Sequence, residues 1–194
     1  MIYDKAMVEG RAIALRRGMP PGKQYDPGEY WGSLLHNPKI ASLAMEMGIA
    51  IVEAGRRGKD HGKGYTDAER ELIDQVLFAA WSVDIIQGAH FRDALAAGVR
   101  LEAIEALRAH RDDLLTPDEL EIARYARQVV SGTVDDATYA PIARRFGTRG
   151  AVEFTAAILW IQWSVRMMQA MNISGTTKAQ VDQMIEKAKA APRP

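Results

Sequence analysis

The sequence of 194 residues contains no cysteine, which excludes disulfides, thiolate metal sites and thiol-based redox or nucleophilic chemistry. It has no excess charge, with 25 Lys and Arg against 25 Asp and Glu, so no global field attracts nucleic acid or an anionic membrane. Its longest apolar stretch, residues 156–163, is interrupted by Gln162 and is far short of the ~20 residues that a membrane span needs. No apolar segment of signal-peptide type follows Met1. These absences predict a soluble, cytoplasmic protein that binds neither nucleic acid nor membranes.

Helical periodicity extends over nearly the whole chain. Apolar residues recur at spacings of three and four, and no segment has the alternating β-branched pattern of a strand. We therefore predict an all-α fold, a helical bundle in a single domain over residues 1–194. Residues 1–37 are expected to form a helix and a packed, irregular Pro/Gly-rich segment, residues 38–190 the helical core, and residues 191–194 a tail.

Local capping signals mark several helix ends. The pairs with the spacing of a capping box, in which each side chain satisfies a free backbone N–H, are Thr66 with Glu69 and Thr116 with Glu119. A further helix begins at Asp135, and we expect it to kink at Pro141 and to end at Gly147.

The stretch around Trp81 decides whether one long helix or two shorter helices form there. Ser82 can act as an N-cap, and Asp84 in the following turn suits the positive end of a new helix dipole. We therefore predict a break at Trp81–Ser82, and a separate helix over residues 83–97 that stops at Gly98.

Four histidines carry the candidate chemistry, because neither a Gly-rich phosphate loop nor a His-Glu-x-x-His metal motif is present. The three that lie in loop, turn or exposed contexts are His36, His61 and His110. His90 lies mid-helix with Val83 and Ile86 on the same face, so its imidazole is expected to be buried and to need a partner. Periodicity alone favours a core histidine bonded to a backbone carbonyl.

A break at Trp81–Ser82 supplies a different partner for His90. The two helices would form an antiparallel hairpin, with Glu71 ~16 Å and His90 ~13 Å from the turn, nearly level with each other. On one uninterrupted helix they would lie ~28 Å apart. A carboxylate beside an imidazole orients its tautomer and raises its basicity, as a general acid or base requires.

Several short stretches along most of the chain resemble one superfamily. Residues 83–90, followed by Ala94 and Gly98, are similar to the Cys-Glu-x-Cys-x-x-x-His signature of the carboxymuconolactone decarboxylase and alkyl hydroperoxidase D superfamily. Segments that resemble its other helix entries, turns and linkers are 34–38, 69–72, 132–136 and 145–149. The resemblance implies an alkyl hydroperoxidase D-like fold and a homo-oligomer, typically a trimer or hexamer.

In the peroxidase branch of that family, a helix-start glutamate, two cysteines and a downstream histidine form a proton relay around a disulfide. Position by position, the glutamate falls on Glu71 and the histidine on His90, the two residues of the hairpin argument. The cysteines fall on Val83 and Ile86, whose side chains cannot reduce peroxide. The resemblance therefore implies that peroxidase activity is absent.

The decarboxylase branch does not depend on those cysteines, and residues 90–95 resemble its His-x-Arg-x-Ala-Leu stretch. This resemblance implies that His90 protonates a carbanion or enolate carbon as carbon dioxide leaves. Arg92 would hold a substrate carboxylate, or would be a solvated residue about 200° around the helix from His90. Asp84 matches the acid of the motif. Its alternative role is to complement the positive end of the helix dipole.

The sequence thus favours a cofactor-independent, decarboxylase-like lyase acting on a small organic acid or lactone. His90 is its expected acid/base and Glu71 its orienting partner, with no metal. Further candidate pocket residues are Trp81, Val83, Asp84, Ile86 and Arg92. Two alternatives stay open: a non-catalytic member of the fold that binds a small ligand or a partner protein, and a peroxidase, which the missing thiols disfavour.

Overall fold

The computed structural model of the chain describes residues 8, 28–61, 64–173 and 175–190. Within these residues all regular structure is helical, which confirms the all-α class. The described α-helices are α1 Gly28–Leu34, α2 Pro38–His61, α3 Asp67–Ala80, α4 Asp84–Ala97, α5 Leu101–Arg108, α6 Pro117–Ser131, α7 Asp136–Ala170 and α8 Lys178–Ala190, with a 3₁₀ helix at Asp112–Leu114. None of these helices combines the length and the hydropathy of a membrane span.

The N-terminal prediction is corrected in the part that the structure describes. Residues 28–34 form α1, although an irregular segment was expected up to residue 37. Glu29 suits the positive end of the helix dipole, and Leu34 is buried on a face that Tyr30 and Trp31 extend. Of the predicted first helix only Val8 is described, and it is helical. The rest of that helix, the irregular segment before Gly28 and the tail over 191–194 lie outside the described residues.

The chain packs as two compact units. The first comprises Met1–Ala50 and Met167–Ser174, and among its described residues Leu34, Ala41 and Met45 are buried. The second comprises Ile51–Arg166 and Gly175–Pro194, and contains α3 to α6 and α8 complete. The organisation of residues 1–194 as a single domain stays a prediction.

An aromatic cluster forms part of the core of the second unit. The ring of Phe154 lies 5.3 Å from that of Tyr65, 4.8 Å from that of Phe146 and 6.3 Å from that of Tyr125. The buried Tyr65 hydroxyl donates a hydrogen bond to the Ile51 carbonyl at 2.7 Å, so its polar end is satisfied.

Both predicted capping boxes are present, at Thr66 with Glu69 and at Thr116 with Glu119. The start of α7 is also as predicted, because Asp135 accepts a hydrogen bond from the Thr138 N–H at 2.8 Å. The predicted helix end at Gly147 is confirmed, because the backbone leaves helical geometry there, with φ 72° and ψ 170°, a conformation that a residue without Cβ adopts most easily. Pro141 lies inside the preceding helical stretch, and the kink expected there stays a prediction.

The predicted break between α3 and α4 is confirmed at Trp81 and Ser82. The assignment of Ser82 as the N-cap of α4 is wrong. Ser82 has φ 51° and closes the end of α3, where its N–H donates to the Ala79 carbonyl at 3.2 Å. Val83 precedes α4 without a side-chain cap, and Gly98 ends that helix at φ 102°.

Helix α3 is the central element of the second unit, packing against α4, α5 and α6. Its residues from 71 to 79 are all buried, so this part of α3 is enclosed on every side. Three of these buried residues are polar: Glu71, Asp74 and Gln75. Buried polar groups need partners, and α4 supplies two of them.

Candidate functional site

The α3–α4 hairpin brings His90 of α4 against the buried carboxylate of Glu71. His90 Nδ1 lies 3.4 Å from Glu71 Oε2, although the two residues are 19 positions apart in the sequence. Their proximity therefore depends on the turn at Trp81 and Ser82, as the hairpin geometry predicts. Their chemical roles stay a prediction.

Asp74 is a second carboxylate at His90, and the sequence reasoning missed it. Its Oδ2 lies 3.0 Å from His90 Nδ1, and its side chain is completely buried, while that of His90 is 28% exposed. The signal was available, because Asp74 interrupts an apolar stretch of α3 and lies three residues after Glu71 on the same helix surface. An ionisable residue in such a stretch needs a charged partner once it is buried.

Arg70 supplies a second cation behind the two carboxylates. Its guanidinium donates a hydrogen bond to Glu71 Oε1, and its Nη1 lies 3.6 Å from Asp74 Oδ2. Burial lowers the pKa of Arg70, but the charges of Asp74 and Glu71 outweigh this effect and raise that pKa. Arg70 and protonated His90 together balance the charges of Glu71 and Asp74, and Asp93 of α4 is a third carboxylate near the His90 ring.

His90 holds its proton more tightly than an ordinary histidine. Burial lowers its pKa, but the negative charge of Asp74 and the contact with Glu71 outweigh burial and raise the pKa to about 10. At neutral pH the ring is therefore an imidazolium, with its Nδ1–H directed at the carboxylates of α3. The edge of the Phe78 ring packs beside it at a centroid distance of 5.6 Å.

One helical turn closer to the hairpin turn, a second polar pair joins α3 to α4. Gln87 Nε2 donates a hydrogen bond to Gln75 Oε1 at 3.1 Å, and both side chains are buried. Arg108 of α5 donates to the other end of the Gln87 amide. Together with the His90 cluster, this pair fixes the register of the two helices.

The remaining candidate pocket residues have other surroundings. Asp84, in the first turn of α4, pairs with Arg108 at 3.1 Å. Arg92 is exposed, as its position around the helix predicts, and Val83 is buried. The Trp81 ring lies under the guanidinium of Arg166, 4.6 Å from its centroid. The Ile86 side chain lies outside the described part of the chain.

Glu71, His90 and Asp93 are a candidate group of metal ligands. Each offers one ligand atom, and these atoms lie within 4.8 Å of one another. A metal ion would bind this imidazole only after its proton had left. Arg70 already pairs with the Glu71 carboxylate of this group.

Polar atoms that lack hydrogen bonds are concentrated at the same place. Among the described residues, the buried side-chain atoms without a hydrogen-bond partner are Arg70 Nε, Asp74 Oδ1 and Oδ2, and Gln75 Nε2. They belong to two successive turns of α3 that carry the His90 cluster. Buried polar atoms in folded proteins are normally paired, so this is the part of the described chain with unused hydrogen-bonding capacity.

Comparison of the chain with protein-family models, with curated proteins and with solved structures gives no match. The site is therefore defined by its own geometry, an imidazolium on α4 that lies against two buried carboxylates of α3.

Proposed function

We propose that the protein is a cofactor-independent, decarboxylase-like lyase that acts on a small organic acid or lactone. His90 is its acid/base, and Glu71 is the partner that orients the ring. The observation that supports this proposal is the contact of His90 Nδ1 with the buried carboxylates of α3, at 3.4 Å for Glu71 and 3.0 Å for Asp74. A positioned imidazole with a carboxylate partner is the arrangement that proton transfer requires.

The arrangement favours proton donation to carbon. Since Nδ1 is engaged by carboxylates, Nε2 is the ring nitrogen that exchanges a proton with the substrate. When the carbon–carbon bond to the substrate carboxylate breaks, carbon dioxide leaves and the electron pair stays on carbon. His90 Nε2–H then protonates that carbon, and His90 recovers its proton from water. The raised pKa of His90 keeps the donor loaded at neutral pH.

The family resemblance also suggests a peroxidase, and we expect that activity to be absent. The sequence contains no cysteine, so no thiol is present to attack a peroxide and be oxidised. Incubation of the purified protein with hydrogen peroxide or an organic hydroperoxide is expected to leave the peroxide concentration unchanged. Peroxide consumption above that of a buffer blank would contradict this expectation.

A second candidate is a non-catalytic member of the fold that binds a small ligand or a partner protein. The observation that favours it is the charge balance of the cluster, in which Arg70 and His90 neutralise Glu71 and Asp74. Buried ion networks of this kind can fix the register of packed helices without taking part in chemistry. The resemblance further leads us to propose a homo-oligomer, a trimer or hexamer.

The experiment that separates these candidates uses the purified full chain and a panel of small β-keto acids, unsaturated dicarboxylic acids and lactones. Carbon dioxide release and changes in the ultraviolet absorbance of the substrate are measured for the wild type and for His90→Gln. The lyase proposal expects about 100-fold or greater loss of rate in His90→Gln, the contribution typical of a general acid.

The matched control is His36→Gln, because His36 is exposed and lies in the first unit. This variant is expected to keep the wild-type rate, and circular dichroism checks that both variants remain folded. A His90→Gln protein that is folded and retains the wild-type rate would contradict the lyase proposal. Binding of a panel compound without turnover would favour the non-catalytic candidate.

A further inference from the structure

Three side chains that can ligate a metal ion come together from two neighbouring helices. His90 and Asp93 lie three residues apart on one face of α4, and Glu71 approaches them from α3. One ligand atom of each lies within 4.8 Å of the other two. Helical bundles hold metal ions with carboxylates and histidines of this kind, in pairs three residues apart on facing helices.

The separation of Glu71 and His90 fits a shared metal ion better than a strong hydrogen bond. Glu71 Oε2 lies 3.4 Å from His90 Nδ1, whereas N–H···O hydrogen bonds are most often about 2.9 Å long. Two ligand atoms that each lie ~2.1 Å from a tetrahedral zinc ion are ~3.4 Å apart. Binding of such an ion by both atoms therefore needs little change in the distance between them.

Arg70 leaves one oxygen of Glu71 for the ion. Its guanidinium donates a hydrogen bond to Oε1, whereas Oε2 is the oxygen that faces His90. Carboxylates that bind a metal ion are commonly held by hydrogen bonds to their other oxygen, because these bonds fix the orientation of the ligand. The pairing of Arg70 with Glu71 is therefore compatible with a metal ion at Oε2.

Asp74 is an independent sign that this place favours a cation. Its side chain is completely buried, and neither of its oxygens has a hydrogen-bond partner among the described residues. Oδ2 is directed at the ring of His90, 3.0 Å from Nδ1, and lies 3.6 Å from Nη1 of Arg70. A buried carboxylate without hydrogen bonds is costly unless cations lie close to it. A divalent ion beside His90 would add to the compensation of its charge.

We propose that Glu71, His90 and Asp93 bind a divalent transition-metal ion of the zinc class, and that Asp74 compensates part of its charge. Imidazole and carboxylate ligands together suit zinc, whereas calcium and magnesium prefer oxygen ligands alone. Three protein ligands leave a fourth position for water. The side chain of His90 is 28% exposed and that of Asp93 is partly exposed, so the ion has a path from solvent. As the ion binds, the ring proton passes to the buffer.

This site adds a regulation to the proposed lyase, and only that consequence rests on the proposed function. An imidazole bound to a metal ion is neutral and donates a proton to carbon far less readily than an imidazolium does. Zinc is therefore expected to inhibit turnover. Binding of the ion does not depend on turnover and is measured separately.

The test is isothermal titration calorimetry of the full chain, prepared without an affinity tag, with zinc chloride as the titrant and calcium chloride as the comparison. The wild type is expected to bind zinc with a Kd in the micromolar range or lower, and not to bind calcium. Asp93→Asn and His90→Gln should each weaken zinc binding by at least about tenfold. Asp93→His should retain binding, because an imidazole replaces the lost carboxylate.

Two matched controls remove groups of the same kind elsewhere. Asp113→Asn removes an exposed carboxylate of the same unit, and His36→Gln removes an exposed imidazole. Both variants should bind zinc as the wild type does. Absence of zinc binding in the wild type, or equal binding by the wild type and Asp93→Asn, would overturn the proposal.

X-ray absorption at the zinc edge gives a readout that needs no variant and so does not depend on the folding of one. One imidazole nitrogen and carboxylate oxygens are expected at about 2.0–2.2 Å from the ion. Two or more imidazoles around the ion would show that other histidines hold it, and would overturn the proposal.

The turnover assay separates a failure of the site from a failure of the proposed function. Saturating zinc should inhibit the wild type, and a chelator should restore its rate. Turnover that is unchanged when zinc occupies the site would contradict the role of His90 in the lyase and leave the cation site intact. An active lyase that binds no zinc would contradict the cation site alone.

Discussion

Free imidazole groups of histidine lose their proton near pH 6.5. His90 differs from them because α3 places two buried carboxylates at one of its ring nitrogens. Burial alone would lower the pKa of His90 and favour the neutral ring. The pKa is raised instead, because the effect of the two carboxylates is larger than that of burial. At the scale of single residues, the protonation of His90 therefore depends on charge compensation within one small cluster, formed by Arg70, Glu71, Asp74 and His90.

The first prediction at this scale concerns stability and pH. Because the folded-state pKa of His90 is about 10 and its unfolded value is about 6.5, its charge stabilises the fold fully below pH 6.5, and this contribution is lost as pH rises to about 10. Urea denaturation of the wild type and of His90→Gln should show a difference in unfolding free energy that shrinks over this range. The charged groups around Nδ1 are Glu71 and Asp74, with Arg70 behind them and Asp93 further along α4. A difference that is constant with pH would contradict the raised pKa.

The second residue-scale prediction concerns Arg70. Replacing it with Met removes a partner of two buried carboxylates and should cost about 3–5 kcal/mol of unfolding free energy. The control is Arg100→Met, which removes an exposed pair with Glu119 and should cost about 0–1 kcal/mol. Both variants are measured by urea denaturation. Equal losses of unfolding free energy would contradict the prediction, because the Arg70 ion pairs would then contribute no more than a surface salt bridge.

At the scale of helices, the sequence predicts those features that depend only on residues close together in the chain. The capping boxes at Thr66 and Thr116 form as predicted because their hydrogen bonds span three residues. The hairpin follows from the break at Trp81, and it brings Glu71 to His90. The features that the sequence does not reveal depend on packing. Asp74 contacts His90 because α3 packs against α4. The positive φ of Ser82 and the helical backbone at Pro141 are not conformations that local propensity favours.

The packing of α4 against the segment before α8 gives a prediction for this scale. A Cβ added at Gly88 would lie 2.3 Å from side-chain atoms of Thr176, so Gly88→Ala should destabilise the fold by about 1–3 kcal/mol. Gly32→Ala is the matched control, because no atom lies within 4 Å of a Cβ added there. A Gly-to-Ala change at an open helical position stabilises by about 0.5–1 kcal/mol. Thermal unfolding should therefore give shifts of opposite sign, and a stabilised Gly88→Ala protein would contradict this packing.

At the scale of the whole molecule, the charged residues balance and the candidate site lies within one compact unit. Arg70, Glu71, Asp74 and His90 all belong to the second unit. The equal numbers of acidic and basic residues follow from composition, whereas the division into units depends on contacts between distant segments.

The proposed homo-oligomer is tested at this scale. Val152 and Leu159 lie seven residues apart on one face of α7 and are 63% and 45% exposed, which supports an apolar contact between copies of the chain. Native mass spectrometry should give a trimer or a hexamer, and Leu159→Glu should shift the mass distribution toward the monomer. A wild-type chain that is monomeric at micromolar concentration would contradict the proposed assembly.

The central claim is that α3 keeps His90 protonated at its junction with Glu71 and Asp74. The pH titration of the His90 ring by NMR in the wild-type protein tests it most directly, because it requires neither a substrate nor a variant. Both ring nitrogens are expected to stay protonated at neutral pH, with the midpoint of the titration at a pKa of about 10. A midpoint at about 6.5, the value of a histidine free in solution, would contradict it.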